Sequence, residues 1–194
     1  IYNYIMICIF LIEGSNFIKK IPKNNDLVKK LQKEFIVKTA TIAQFDSIEK
    51  ECLTFFKDCS VKYTDLVFGI IGLSSGGYFA LRLKKKLTKI KFCIAIAPVI
   101  NPKYRCNYMK NLPENIRESN YNSIINNTPN IRKIYNKIDN ETFIILGEKD
   151  KQVPITMFDS YKIPNILIVK DADHSIANHI TKYTLNLINA FIYQ

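Results

Sequence analysis

An apolar segment that leads directly into a glycine-flanked serine constrains the fold of this chain more than any other feature. Apart from two glycines, residues 66–72 carry only apolar side chains, which is typical of a buried strand. Gly72, Ser74 and Gly76 form a Gly-x-Ser-x-Gly pattern, and a helical pattern begins immediately afterwards. So sharp a turn needs glycine on both sides of the serine, because a β-carbon would clash with neighbouring backbone. We therefore predict a nucleophile elbow that lifts the serine above a strand end, at the N-terminus of a helix.

Two further apolar segments end in residues that complement a reactive serine. The segment at 142–147 leads to Asp150, and the segment at 165–170 leads to His174. A serine, an aspartate and a histidine in this chain order, each just after a strand, predict a nucleophile, an orienting acid and a base. Of the two histidines, His179 lies within the helical pattern that follows, and we predict that it is a surface or packing residue.

A tetrahedral intermediate formed at this serine would need two N–H donors. Because it follows the nucleophile, Ser75 is predicted to supply one from its backbone, and the loop after the first strand the other. In that loop Gly14 permits close backbone approach, and Ser15 or Asn16 would present the donor. Glu13 conflicts with this role, because a carboxylate repels an oxyanion. We expect its side chain to point away or to be paired.

Strand and helix patterns alternate along the whole chain. The predicted strands are 4–12, 36–43, 66–72, 91–98, 142–147 and 165–170, and the predicted helices are 26–34, 47–58, 75–86, 155–161 and 176–192. This alternation predicts an α/β fold in a single domain over residues 1–194, with a mostly parallel sheet of about six strands and helices on both faces.

The segment at 101–140 is more than a plain connection. It is rich in asparagine, yet its isoleucines and tyrosines recur at helical spacing, which predicts an amphipathic helix. The helix would form a small cap above the serine or, equally well, cover the sheet surface. Within the same segment, Tyr104, Tyr108 and Met109 are predicted to bind substrate.

Composition narrows the choice of partners. The formal net charge is +11, which would suit nucleic acid or an anionic membrane. The densest lysine cluster, within 84–91, falls at the end of a predicted helix, where cations complement the helix dipole. Since no nucleic-acid-binding motif accompanies it, we predict no nucleic-acid partner. The apolar segment 1–12 is too short to span a bilayer, and we predict a buried strand there and no stable membrane insertion.

The cysteine pattern excludes two kinds of site. Five cysteines are present, an odd number, and none forms a Cys-x-x-Cys pair, so we predict neither a disulfide framework nor a zinc site. A reducing, cytoplasmic location fits best. The chain also lacks a phosphate-binding loop and a dinucleotide fingerprint, so no cofactor and no metal are expected.

With these features the chain resembles the α/β-hydrolase superfamily over most of its length, and within it the small, nearly capless YqiA-type esterases. The matching segments are 72–78, 96–102 and 173–175. The resemblance implies hydrolysis of small-molecule carboxylic esters, and also of acyl thioesters such as acyl-CoA, without a cofactor. One departure is clear: the His-Gly usual after the first strand is replaced by Glu13 and Gly14.

Three functions are therefore open at this level. The first is a serine esterase or thioesterase that works through an acyl-enzyme. The second is a serine peptidase or amidase of the same fold, because the extension of the serine motif to Tyr78 also resembles prolyl-oligopeptidase-like catalytic domains. The third is a non-catalytic binding protein with a hydrolase fold, which Glu13 motivates.

Overall fold

The structure is a computed structural model that describes residues 6–14, 24–40, 45–100, 107, 111, 139–159, 161–174, 176 and 180–192. Across these ranges the strands are β1 (Met6–Ile12), β2 (Ile36–Ala40), β3 (Leu66–Leu73), β4 (Ile90–Ile96), β5 (Thr142–Gly147) and β6 (Ile166–Val169). The α-helices in the same ranges are α1 (Asn24–Glu34), α2 (Phe45–Lys62), α3 (Ser75–Lys86) and α4 (Ile180–Ile192).

The six described strands form one sheet in the order β2-β1-β3-β4-β5-β6, and every pairing between them is parallel. The predicted α/β architecture is confirmed. Because the carboxyl ends of parallel strands lie at the same edge of a sheet, the loops after β1, β3, β5 and β6 all begin along that one edge. The register brings Ile12 beside Gly72, and Gly147 beside Val169. Loops that are far apart in sequence therefore start as neighbours.

Both faces of the sheet are buried under helices. Phe10 and its i±2 neighbours on β1 face a cluster that includes Phe56 of α2 and Leu83 of α3. The alternate residues, such as Ile9, face a second cluster with Leu31 of α1. A strand covered on both sides can be apolar at every position, which explains the continuous apolar runs of the sequence.

Several predicted boundaries differ from the structure: α2, for example, was predicted at 47–58 and extends over Phe45–Lys62, and three further differences have a local cause. The predicted helix at 155–161 is only a 3₁₀ turn, Ile155–Met157, closed by i→i+3 bonds such as Met157 N–H to Pro154 O (2.9 Å). The fourth strand ends two residues early, because Ala97 adopts a positive φ of 43° that no strand residue has. Ile176 has the same φ, and regular helix is described only from Ile180.

Two of the clustered lysines have specific carboxylate partners. The Lys84 ammonium, only 10% exposed, donates to the Ile90 carbonyl (2.8 Å) and pairs with Asp139 and Glu141 at 3.2 and 2.8 Å. Lys86 pairs with Glu49 of α2 at 2.7 Å. These contacts tie the end of α3 to its surroundings, so part of the cluster has a structural role.

The described cysteines behave as core residues. Cys8, Cys52, Cys59 and Cys93 are buried free thiols. Burial raises the pKa of Cys8 and of Cys52 to about 12, and it raises the pKa of Cys93 as well. Each of these three groups therefore stays a protonated thiol near neutral pH and is a poor nucleophile. In the described ranges, no helix combines the length and apolarity needed to cross a membrane.

We predict that Gly69 and Phe92 are energetically coupled. A β-carbon on Gly69 would lie 2.0 Å from Cζ of the buried Phe92 ring, which itself stacks on Phe191 at 5.1 Å. Phe92→Ala should lower the free energy of unfolding by about 3–5 kcal/mol. Gly69→Ala should cost about 1–3 kcal/mol by overpacking in the wild type, and clearly less in the Phe92→Ala background. Urea denaturation of the two single variants and the double variant measures the coupling, and additive costs would contradict it.

Candidate active site

The backbone around Ser74 is a strained turn with no room for side chains on either side. Ser74 has φ 53° and ψ −117°, a conformation that L-residues rarely adopt. A β-carbon on Gly72 would lie 2.2 Å from the Gly76 carbonyl oxygen, and one on Gly76 would lie 2.3 Å from the Ile12 carbonyl oxygen. The two glycines predicted to be essential are therefore needed for close backbone contacts.

Backbone hydrogen bonds hold this strained turn in place. The Ser74 N–H donates to the Ile96 carbonyl at the end of β4 (2.8 Å). The Ser74 carbonyl in turn accepts hydrogen bonds from the N–H groups of Gly77 (3.0 Å) and Val99 (3.3 Å). Since neighbouring elements over-determine the conformation, it can persist despite a cost on the order of 1–3 kcal/mol.

A continuous hydrogen-bonded chain links three side chains from three separate loops. Ser74 Oγ lies 3.0 Å from His174 Nε2, and His174 Nδ1 lies 2.7 Å from Asp150 Oδ2. A carboxylate can only accept, so Nδ1 carries the proton and Nε2 accepts from the serine hydroxyl. The Asp150 side chain is fully buried, whereas that of His174 is 17% exposed. The three residues singled out from the sequence therefore meet in one place.

Asp150 is held by contacts that sequence reasoning missed. Its Oδ1 atom accepts hydrogen bonds from the backbone N–H groups of Gln152 (2.8 Å) and Val153 (2.9 Å). The second oxygen is thereby left for His174. An aspartate whose side chain caps the N–H two residues ahead is a known turn signal, so an Asx turn at Asp150 was within reach of the sequence.

The loop after β1 contacts the serine from the other side. A β-carbon on Gly14 would lie 2.9 Å from the Leu73 carbonyl oxygen and 3.1 Å from Ser74 Cβ. Ser75 is the first residue of α3, and the backbone N–H groups in the first turn of a helix point out of its N-terminus. The half-buried Glu13 donates its N–H to the Ala40 carbonyl (2.9 Å), and its carboxylate forms no ion pair with a described residue.

Several predicted site residues lie outside the described residues. They are Ser15 and Asn16 of the first loop, Tyr104, Tyr108 and Met109 of the substrate-binding prediction, and His179. The cap predicted within 101–140 falls almost entirely outside them as well, so these assignments stay predictions. Among the residues that the structure does describe, no group of three His, Cys, Asp or Glu side chains is arranged to hold a metal ion.

A parallel sheet of this strand order, with a strained serine turn after β3 and loops after β5 and β6 that meet it, has the α/β-hydrolase fold, as predicted. Solved structures agree on the fold. Est1E from Butyrivibrio proteoclasticus superposes with a TM-score of 0.68 at 16% identity, over 97% of this chain and 89% of its own.

Two esterases with solved structures are equally similar in fold. One is from Pyrococcus furiosus, with a TM-score of 0.68 and 19% identity over 96% of this chain and 80% of the esterase. The other, a thermophilic esterase from Thermogutta terrifontis, has a TM-score of 0.68 and 13% identity over 95% of this chain and 90% of its own. No family model and no curated protein sequence matches the chain. The YqiA-type resemblance stays a prediction.

We predict that Asp150 stabilises the folded chain through its backbone contacts as well as through His174. Asp150→Ala would remove the acceptor for three groups, including the N–H of the fully buried Val153. It should lower the free energy of unfolding by roughly 2–3 kcal/mol, as expected for a buried donor left unsatisfied. Asp150→Asn keeps an oxygen for both backbone N–H groups and should cost distinctly less. Equal costs for the two variants in urea denaturation would contradict this assignment.

Proposed function

We propose that this protein is a serine hydrolase that cleaves carboxylic esters of small molecules through an acyl-enzyme. The observation that carries the proposal is the unbroken hydrogen-bond chain from Ser74 Oγ through His174 to the buried Asp150 carboxylate. A serine hydroxyl is a weak nucleophile by itself, and an adjacent base oriented by a third group is the arrangement that activates it.

The proposed reaction has two halves. Ser74 Oγ attacks the ester carbonyl carbon while His174 Nε2 accepts the hydroxyl proton, and Asp150 stabilises the imidazolium that results. The C–O bond to the alcohol then breaks, and Nε2 returns the proton to the leaving oxygen. In the second half, water gives a proton to Nε2 and attacks the acyl carbon. The bond between the acyl carbon and Ser74 Oγ then breaks, Nε2 returns its proton to Oγ, and the acid is released.

Oxyanion stabilisation is assigned to backbone N–H groups on two sides of the serine. Ser75 supplies one because it is adjacent to the nucleophile and begins α3. The loop that contains Gly14 supplies the other, with Ser15 or Asn16 as the predicted donor. The close approach between Gly14 and Ser74 Cβ supports this assignment, since a loop in contact with the nucleophile is near the position of the oxyanion.

The similar solved structures favour esters among the acyl substrates. Two of them are esterases, and Est1E has been solved with ferulic acid bound. Acyl thioesters are a reasonable extension, because the same carbonyl attack expels a thiolate. The four buried free thiols support work in a reducing, cytoplasmic setting. A cofactor has no step in this mechanism.

A second candidate function is a non-catalytic binding protein with the hydrolase fold. The half-buried Glu13, directly before Gly14, favours it because a carboxylate beside an oxyanion site opposes catalysis. Against it stands the complete hydrogen-bonded chain of Ser74, His174 and Asp150. An amidase or peptidase would use the same three residues, and rates for an ester and an amide with matched leaving groups would separate that alternative from an esterase.

We expect Ser74→Ala to abolish turnover of p-nitrophenyl acetate, with a loss in kcat of at least about a thousandfold, because loss of the nucleophile removes the acyl-enzyme route. A fluorophosphonate probe should label the wild type at Ser74 alone, as located by mass spectrometry. Ser60→Ala is the matched control, since Ser60 lies on α2 and its hydroxyl donates to the Phe56 carbonyl (2.9 Å). A folded wild type that is neither labelled nor active would refute the hydrolase and favour the binding protein.

Because the half-buried Glu13 carboxylate pairs with no described residue, we predict, contrary to the expectation from the sequence, that Glu13 limits the rate. Glu13→Gln should raise kcat/KM by roughly threefold or more at low salt, because it removes a repulsion on the order of 0.7 kcal/mol. The gain should shrink as salt rises and screens the charge. Glu34→Gln on the exposed side of α1 is the charge-matched control and should change nothing. An unchanged rate in Glu13→Gln would mean that the carboxylate points away from the oxyanion.

A further inference from the structure

We propose that Glu148 and Asp171 are positioning residues that clamp the loop carrying Asp150 to the loop carrying His174. The proposal rests on the proposed function, because its consequence is the alignment of the histidine. Neither residue touches the reacting atoms; each acts on the other loop. The two loops, 147–150 after β5 and 170–174 after β6, are here called the acid loop and the base loop.

Backbone hydrogen bonds continue between the two loops beyond the end of the sheet. The ladder between β5 and β6 closes at Gly147 and Val169. One residue further, the Glu148 N–H donates to the Val169 carbonyl (3.0 Å), and the Lys149 N–H donates to the Ala172 carbonyl (2.8 Å). The acid loop therefore supplies donors to carbonyls of the base loop.

Two contacts that involve side chains also join the acid loop and the base loop. The Asp171 N–H of the base loop donates to Glu148 Oε2 of the acid loop at 2.9 Å. The Asp171 carboxylate pairs with Lys149 Nζ at 2.7 Å, and this hydrogen bond raises the pKa of the lysine. Each loop thus sends one carboxylate to a group on the other.

The conformation of Asp171 explains why a hydrogen-bond acceptor is needed at position 148. Asp171 has φ 59°, in the left-handed region that aspartate tolerates better than most residues. Glu148 supplies the acceptor for its N–H, and a bond to a charged acceptor is about twice as strong as a neutral one. The left-handed residue and the glutamate therefore form one unit.

The two side-chain contacts differ in how strongly they hold the loops together. The side chains of Lys149 and Asp171 are 65% and 63% exposed, so we expect their ion pair to contribute little to holding the two loops together. The hydrogen bond from the Asp171 N–H to the Glu148 carboxylate joins the backbone of the base loop to a side chain of the acid loop. Asp171 is only three residues from His174. We therefore assign the main role to Glu148, with the ion pair in support.

Close packing at Gly147 restricts how the two loops fit together. A β-carbon on Gly147 would lie 2.5 Å from the Asp173 carbonyl oxygen and 2.6 Å from that of Ala172. The bond between His174 Nδ1 and Asp150 Oδ2 joins these same two loops. A relative shift of the loops on the order of 1 Å misaligns the imidazole, and such a misplacement can cost up to about a hundredfold in rate.

The first test compares Glu148→Ala with Glu148→Gln in p-nitrophenyl acetate turnover. Glu148→Ala should lower kcat roughly fivefold with KM within about twofold of wild type, because one exposed charge-assisted hydrogen bond is lost. Glu148→Gln keeps an oxygen for the Asp171 N–H and should recover most of kcat. Asp26→Asn, which removes an exposed i,i+4 pair with Lys30 on α1, is the control and should match wild type.

The second test uses the left-handed conformation of Asp171. Asp171→Gly adopts φ 59° without strain and keeps the N–H, so kcat should stay within about twofold of wild type. Asp171→Val places a β-branched residue in the left-handed region and should lower kcat at least as much as Glu148→Ala. If Glu148→Ala folds poorly, the comparison of Asp171→Gly with Asp171→Val still tests the clamp, because both variants keep Glu148.

A third readout does not depend on activity. The proton on His174 Nδ1, bonded to Asp150, should give a low-field ¹H NMR signal in the wild type that is lost in His174→Ala. In Glu148→Ala and Asp171→Val it should broaden or vanish, and in Glu148→Gln and Asp171→Gly it should persist. A wild type with this signal but without Ser74-dependent turnover would refute the hydrolase and still test the clamp. Wild-type kcat and signal in Glu148→Ala, or equal losses in Glu148→Ala and Glu148→Gln, would overturn the clamp.

Discussion

Close backbone-to-backbone contact at glycines is the constraint on which the site depends. Gly76 packs against the Ile12 carbonyl, Gly14 packs against Ser74, and Gly72 packs against the Gly76 carbonyl. These approaches bring the end of β1 and the first turn of α3 together around a serine in a strained conformation. Any side chain there would separate the elements, so the strain is maintained by packing that only glycine allows. The position of the serine hydroxyl is then a consequence of where the backbone is forced to go.

The parallel sheet brings Asp150 and His174 to the same edge as Ser74. Because β5 and β6 lie on the same side of β3, their loops begin at the edge where the serine emerges. The acid at Asp150 is buried and capped by two N–H groups, whereas the histidine is partly exposed. This division suits the proposed chemistry, because the carboxylate must stay fixed and charged while the imidazole must exchange protons with substrate and water.

The sequence predicted the strands, the α-helices and the three residues of the hydrogen-bonded chain, because each has a strong local signal. Apolar runs mark strands buried on both faces, and the glycines mark the serine turn. It did not predict the positive φ of Ala97, nor the contacts of Glu148 and Asp171. Those features depend on which loops become neighbours in the sheet, and exposed polar residues in loops have no periodicity that would reveal it.

The low identity to structures of the same fold bears on how the site should be interpreted. At 13–19% identity, those chains share the fold but few side chains with this one. What this chain must supply for itself is the alignment of two loops, 147–150 and 170–174, beside β6, which is the edge strand of the sheet formed by the described residues. An edge strand has only one neighbour to hold it in register, so its loop needs contacts beyond the ladder. The bonds that join Glu148 and Lys149 to the base loop provide those contacts, which is why exposed residues at this position bear on the geometry of a buried aspartate.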